Sequence, residues 1–219
     1  MTKNVPCHKR NMIKPIANNT NDYPPQLNVG AFDIVAVAAS AGGLNAVSQI
    51  LSTLPVKFPA AVVVVQHLSP RHPSFMAEIL SRRVALQVKQ AEDEDRLTPA
   101  TVYIAPPDHH IRVNHDGTLF LCQSKVVRFV RPSADILFES VAYRYKERAI
   151  ALVLSGTGSD GSIGISYVKK MGGMVIVQDN KTAEFSGMPA AAIRTGDVDL
   201  VLPLDEISNA LVTLVMGNG

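Results

Sequence analysis

The 219-residue chain has no tryptophan, and aromatic residues make up only 5% of it. Its core must therefore be aliphatic, and the abundance of Val, Ile, Leu and Ala suits a parallel sheet covered on both faces. Only two cysteines are present, Cys7 and Cys122. That is too few for a disulfide framework, so both are expected to be free thiols in a reducing compartment. The net charge is only +2, which gives no basis for a nucleic-acid partner. No apolar run approaches the ~20 residues of a membrane span, and the N-terminus carries no stretch of signal-peptide type. A soluble, cytoplasmic protein without membrane insertion is expected. What the chain does have is apolar material: 47% hydrophobic residues against 18% charged. That is enough for one sizeable domain plus a tail.

Residues 1–31 are rich in Asn, Pro and Lys, as in Asn18-Asn19-Thr20-Asn21-Asp22 and Pro24-Pro25, and are expected to be a flexible tail. Residues 32–217 form the expected domain. Buried strands are predicted at Ile34–Ala39 and Ala60–Gln66, with further strands at Leu86–Glu92, Thr101–Ala105, Ala149–Leu154, Met174–Gln178 and Val198–Leu202. Helices are predicted at Leu44–Leu54, Pro73–Arg83, Ser133–Arg144, before Met171, at Pro189–Thr195 and at Leu204–Val215. Asp116-Gly117 marks a hairpin between Ile111–Val113 and Thr118–Leu121. The alternation predicts an α/β fold: a doubly wound, mostly parallel sheet flanked by helices, with an antiparallel β-hairpin insertion.

In an open parallel sheet the site lies beyond the carboxyl ends of the strands. Three strands there end in Ser40, His67 and the loop Ser155-Gly156-Thr157-Gly158-Ser159-Asp160-Gly161. A Ser, a His and an Asp are the set that nucleophilic acyl transfer needs: attacking hydroxyl, base, and carboxylate to set the imidazole tautomer. Ser40 also sits on a sharp strand-to-helix turn, where free N–H groups could hold an oxyanion. Each residue has a plainer reading. Ser40 or Asp160 could cap the following helix, and a His at a strand end can be structural. His109 and His110 are rivals for the base, although replacing His110 is expected to spare most activity. Glu92-Asp93-Glu94-Asp95 is expected to be a solvated turn rather than a metal site, for no His or Cys set completes it. The stretch Lys125–Arg131 could face an acidic helix or simply be solvated.

The order Ser, His, Asp differs from that of common α/β-hydrolases, which also carry G-x-S-x-G where this chain has Ala38. A different family fits. Ala39-Ser40-Ala41-Gly42-Gly43, Gln66-His67, Gly156-Thr157-Gly158-Ser159-Asp160-Gly161 and Phe185-Ser186-Gly187-Met188-Pro189 resemble the CheB-type protein-glutamate methylesterases of bacterial chemotaxis. Smaller blocks, including Arg131-Pro132-Ser133-Ala134-Asp135, agree, and the likeness runs over roughly residues 32–215. The resemblance implies Ser40 as nucleophile, His67 as base and Asp160 as orienting carboxylate. It implies γ-glutamyl methyl esters of chemoreceptors as substrate, with glutamine deamidation as a second activity, and no cofactor or metal. Ala41 and Thr157 are the oxyanion-supporting positions. Thr157 stands where many members have Met, and resembles methylesterase domains fused to a receptor methyltransferase. The implied partners are the cytoplasmic helical domain of methyl-accepting chemoreceptors and such a methyltransferase. Residues 1–31 are too short for a receiver domain, so control by phosphorylation within this chain is not expected. Two other readings remain: a nucleotide-binding α/β module, for which G-x-G-x-x-G is poorly met, and a catalytically silent receptor-binding module.

Overall fold

The computed structural model describes residues 32–68 and 73–217. The tail assigned to residues 1–31 lies outside them. Seven strands form one sheet: β1 (Ile34–Ala39), β2 (Ala61–Gln66), β3 (Gln87–Gln90), β4 (Thr101–Ile104), β7 (Ala149–Val153), β8 (Met174–Gln178) and β9 (Leu200–Leu202). Their order is β3-β4-β2-β1-β7-β8-β9, and every pairing is parallel. The expected hairpin is present as a separate antiparallel pair, β5 (His110–Val113) with β6 (Leu119–Cys122).

β1 and β2 are buried at every position, which is why these strands are runs of Val and Ala rather than alternations. Their side chains divide between two cores. Val35, Val37, Val62 and Val64 meet α1 (Gly43–Ser52), α2 (Met76–Ser81) and α6 (Leu204–Met216). Ile34, Ala36, Ala38, Val63 and Val65 meet α3 (Ala134–Tyr145), α4 (Gly164–Lys170), α5 (Gly187–Ile193) and the hairpin. The predicted elements all appear, most within two residues of their expected ends. α2 is shorter than expected because Ser74 Oγ accepts the Met76 N–H at 3.2 Å, so the helix starts after Pro73 rather than at it. α5 starts at Gly187, and Pro189 lies in its first turn, where no N–H is needed.

One sequence expectation is overturned. Cys122 is disulfide-bonded rather than a free thiol, and Cys7 lies outside the described residues. Counting cysteines argues against a framework of several bridges, but it does not forbid one. The cysteine argument for a reducing compartment falls with it. Among the described residues no helix is long and apolar enough to cross a membrane.

The chain leaves β1 toward β2 and returns on its other side at β7, so the topological switch lies between β1 and β7, where such sheets form a crevice. The loop beyond β7 is held from below by Phe138, which is fully buried. A Cβ on Gly161 would lie 3.2 Å from Phe138 Cε2, and one on Gly164 2.7 Å from its Cβ. Phe138→Ala should cost about 3–5 kcal/mol, the usual cost of emptying a phenylalanine site. Urea unfolding checks this; a loss below about 1 kcal/mol would mean the loop collapses into the space.

Candidate active site

Three neighbouring strands, β2, β1 and β7, bring the Ser, His and Asp of the sequence analysis to one edge. Ala39 of β1 is in register with Gln66 of β2, and the His67 N–H extends that ladder to the Ala39 carbonyl at 3.1 Å. Ser40 and His67 therefore leave adjacent strands side by side, at the ~4.8 Å strand spacing.

The Ser40 turn is pinned on every side. Ser40 N–H donates to the Ser155 carbonyl (3.0 Å), and Gly43 N–H donates to the Ser40 carbonyl (2.8 Å). Gln66 Nε2 donates to the same carbonyl at 2.7 Å. Ser155 Oγ donates to the Ala41 carbonyl at 2.8 Å and accepts the Phe185 N–H at 3.0 Å. The Ser155 N–H in turn donates to Gln178 Oε1 at 2.9 Å. Gly42 has φ +73°, a left-handed conformation that favours glycine. It is also the N-cap of α1, so Ser40 does not cap that helix. Gly156 approaches so closely that a Cβ there would meet Met188 Sδ and lie 2.9 Å from Ser40 Cβ. Among the described residues the N–H groups of Ala41 and Thr157 have no hydrogen-bond partner.

His67 Nε2 lies 2.8 Å from Asp160 Oδ2. A carboxylate can only accept, so the ring proton is on Nε2. Nδ1, the nitrogen nearer the backbone, is left without a partner among the described residues. Asp160 is only 4% exposed, and it accepts three further hydrogen bonds: Ser133 Oγ at 2.7 Å, Ala134 N–H at 2.6 Å and Asp135 N–H at 3.3 Å. These come from the N-cap and first turn of α3, where the helix dipole also favours an anion. Burial by itself would raise the Asp160 pKa. The bonds from His67, Ala134 and Ser133 outweigh it and hold the carboxyl below its ordinary 3.8. The expectation that Asp160 might cap the next helix is half right: it caps α3, not α4. Asp135 caps α4 in exchange, accepting the Ile163 and Gly164 N–H groups at 3.0 and 2.7 Å.

The rival histidines are occupied elsewhere. His109 Nδ1 is 2.9 Å from the Pro107 carbonyl, and His110 is fully buried with both nitrogens bonded. Asp95 of the acidic run pairs with Lys89 at 2.8 Å and accepts the Glu92 N–H, as a structural turn would. Of the cations in Lys125–Arg131, Arg128 is bonded to Ser159 and Ser162 and Arg131 to Asp108. Among the described residues no group of three or more His, Cys, Asp or Glu could hold a metal ion. A groove of about 550 Å³ opens at Ser40, walled by Leu44, Leu68, Phe75 and Ile79, with Glu184 on its rim.

The CheB methylesterase family model matches residues 35–211. The chain belongs to the CheB methylesterase family. It is thus an ester hydrolase by family. A relative in Leptospira interrogans is 36% identical over 187 residues, covering 85% of this chain and 97% of that protein. The protein-glutamate methylesterase/protein-glutamine glutaminase of Thermotoga maritima is 40% identical over 185 residues, covering 83% of this chain but 54% of that protein. The crystal structure of the Thermotoga maritima CheB methylesterase catalytic domain superposes with a TM-score of 0.81 at 39% identity, over 84% of this chain and 99% of that one. The supporting residues Gln66, Ser133, Ser155 and Gln178 were not singled out as site residues from the sequence. Their signal there was that polar residues interrupt or end otherwise apolar strands, and that Gln66 and Ser133 lie in blocks shared with the family.

Asp160→Asn removes the charge and offers an N–H to His67, which would move the ring proton to Nδ1. We expect turnover to fall about ten-thousand-fold, the scale of this change in a serine protease. Stability at neutral pH should fall by on the order of 1–3 kcal/mol as buried donors lose their acceptor. Because the folded pKa of Asp160 is depressed, the stability it contributes is full above the ordinary carboxylate pKa and is lost as pH falls through the lower folded value. The melting difference between wild type and mutant should therefore shrink toward acid pH. Thermal melting from pH ~3 to ~7, with activity measured alongside, tests both effects.

Proposed function

We propose that residues 32–217 are a catalytic unit that hydrolyses γ-glutamyl methyl esters on methyl-accepting chemoreceptors to glutamate and methanol. The observation that carries this reading is the His67–Asp160 pair beside Ser40 at neighbouring strand ends. Ser40 Oγ attacks the ester carbonyl while His67 Nδ1 takes its proton. The Asp160 carboxylate stabilises the imidazolium that forms and keeps the neutral ring in the Nε2-protonated tautomer. The roles of the two nitrogens are thus reversed from the serine-protease template, in which Nδ1 meets the Asp. The closeness of Ser40 and His67 on adjacent strands suits the shorter reach of Nδ1.

The tetrahedral oxyanion is held by the unpartnered N–H groups of Ala41 and Thr157. A backbone donor needs no particular side chain, so Thr at position 157 is compatible with activity. Collapse expels methanol, with His67 returning the proton. Water then enters by the same route in reverse and releases the glutamate. A glutamine side chain at the same position would lose ammonia by the same steps, which makes deamidation a second activity. The apolar groove beside Ser40 suits the flank of a receptor helix from the cytoplasmic domain. A cytoplasmic location follows from that substrate, and the likeness to fused domains makes a receptor methyltransferase a second partner in this reading.

Ser40→Ala should leave the fold intact and remove nearly all methanol release from methylated receptor. Release at the wild-type rate would end the proposal. In the wild type, activity should fall on the acid side as His67 takes up a proton, since a charged ring cannot act as base. A flat rate from pH ~5 to ~8, spanning the usual titration of imidazole, would exclude His67 as the base.

A further inference from the structure

His110 takes no part in the hydrolysis just described, yet its environment is built as carefully as that of His67. It opens β5 and has no exposed surface. Ser133 N–H donates to Nδ1 at 3.1 Å. Nε2 lies 3.2 Å from the Lys125 carbonyl. An amide N–H has no lone pair to offer and a carbonyl has no proton, so the two contacts admit one tautomer: Nδ1 bare, Nε2 protonated. Burial lowers the His110 pKa below its ordinary 6.5, and the charges of Arg131 and Arg112 act in the same direction, against the Lys125 carbonyl and Asp160.

The donor that His110 receives belongs to Ser133, the N-cap of α3. In a capping box the N-cap N–H is accepted by a Glu or Gln side chain at the third helical position. Here that position is Ile136, which cannot accept. His110 Nδ1 supplies the missing acceptor from outside the helix. The residue it holds is the one whose Oγ donates to Asp160, and the next two N–H groups donate to the same carboxylate. The sequence thus runs from His110 to Ser133, to Asp160, to His67.

We propose that His110 is a positioning residue for the triad: its Nε2-protonated ring holds the Ser133 peptide so that the first turn of α3 presents its three donors to Asp160, and so holds Asp160 against His67. This rests on the reading of Ser40, His67 and Asp160 as the triad, and it revises the expectation that His110 can be replaced at little loss of activity.

Two substitutions separate this role from simple core filling. Asn places its carbonyl oxygen near the site of Nδ1 and can still accept from Ser133; Gln places its amide nitrogen near Nε2 and can still donate to Lys125. His110→Asn should therefore keep labelling of Ser40 by a serine-directed phosphonate within about threefold of wild type per folded molecule. His110→Gln should lose about 10–100-fold, the scale seen when the partner that orients a working side chain is removed. Receptor affinity should be unchanged in both. Equal losses in the two variants would overturn the proposal.

The hydrogen-bonded His67 Nε2–H resonance gives a readout that does not need Ser40 to react, and it is followed in the Ser40→Ala background. Its survival in His110→Asn and loss in His110→Gln would support the proposal; the same behaviour in both would overturn it. If wild-type Ser40 fails to label, the triad reading fails, while this resonance still decides the role of His110. Should a variant not fold, the 15N shifts of His110 in the wild type remain decisive, because a proton found on Nδ1 would overturn the assignment without any mutation.

Discussion

The structure depends on one buried charge. An ionised carboxylate removed from water is destabilising by several kcal/mol unless donors surround it, and Asp160 is surrounded by four: the His67 ring, the Ser133 hydroxyl and two peptide N–H groups of α3. The chain positions of those donors differ widely. His67 follows β2, Ser133–Asp135 begin α3, and Asp160 itself follows β7. Satisfying a single side chain thus ties together a strand end, a helix start and a loop that are far apart in sequence. α3 and α4 are locked in the same way, because Asp135 from α3 returns the cap to α4. The cross-capping explains why both acids are buried at helix starts that lack an N-cap side-chain bond of their own.

The Ser40 side of the site obeys a different constraint. A strand that turns sharply into a helix leaves peptide groups facing the crevice, and those not meant for substrate must be satisfied internally. Gln66 Nε2, Ser155 Oγ and Gln178 Oε1 do this for the Ser40 turn and the β7 loop. The N–H groups of Ala41 and Thr157 are among those left without a partner in the described residues. Polar side chains at the ends of Val-rich strands are therefore the scaffold of the turn rather than imperfections of the core.

The same geometry accounts for an imidazole that meets its carboxylate through Nε2. Strand register sets the backbones of Ser40 and His67 side by side, and the long limb of the ring crosses toward Asp160. A Ser and a His brought together by distant loops would have no such restriction. The arrangement is a consequence of building the site on adjacent parallel strands.

The order of strands and helices was legible in the sequence because burial on both faces leaves unmistakable runs such as Val62–Val65, and because Gly and Pro punctuate them. That Ser40, His67 and Asp160 would come to one edge was legible because each follows such a run directly or through a short loop, and strand ends gather on one edge of a parallel sheet. Their joint pattern with Gly156–Gly161 also carried the family. The sequence could not say which helix Asp160 caps, since helix capping is usually local and here it crosses 27 residues to Ser133. Nor could it separate His110 from His109: neighbours in sequence, they differ only in that the β5–β6 pairing carries one beneath the start of α3. The single bridge at Cys122 escaped because cysteine counts speak to frameworks and not to one contact. Periodicity along the chain determined the layers and the edge; which donor reaches which acceptor was decided only when non-local segments packed, because hydrogen bonds depend on ångström distances that no spacing in sequence encodes.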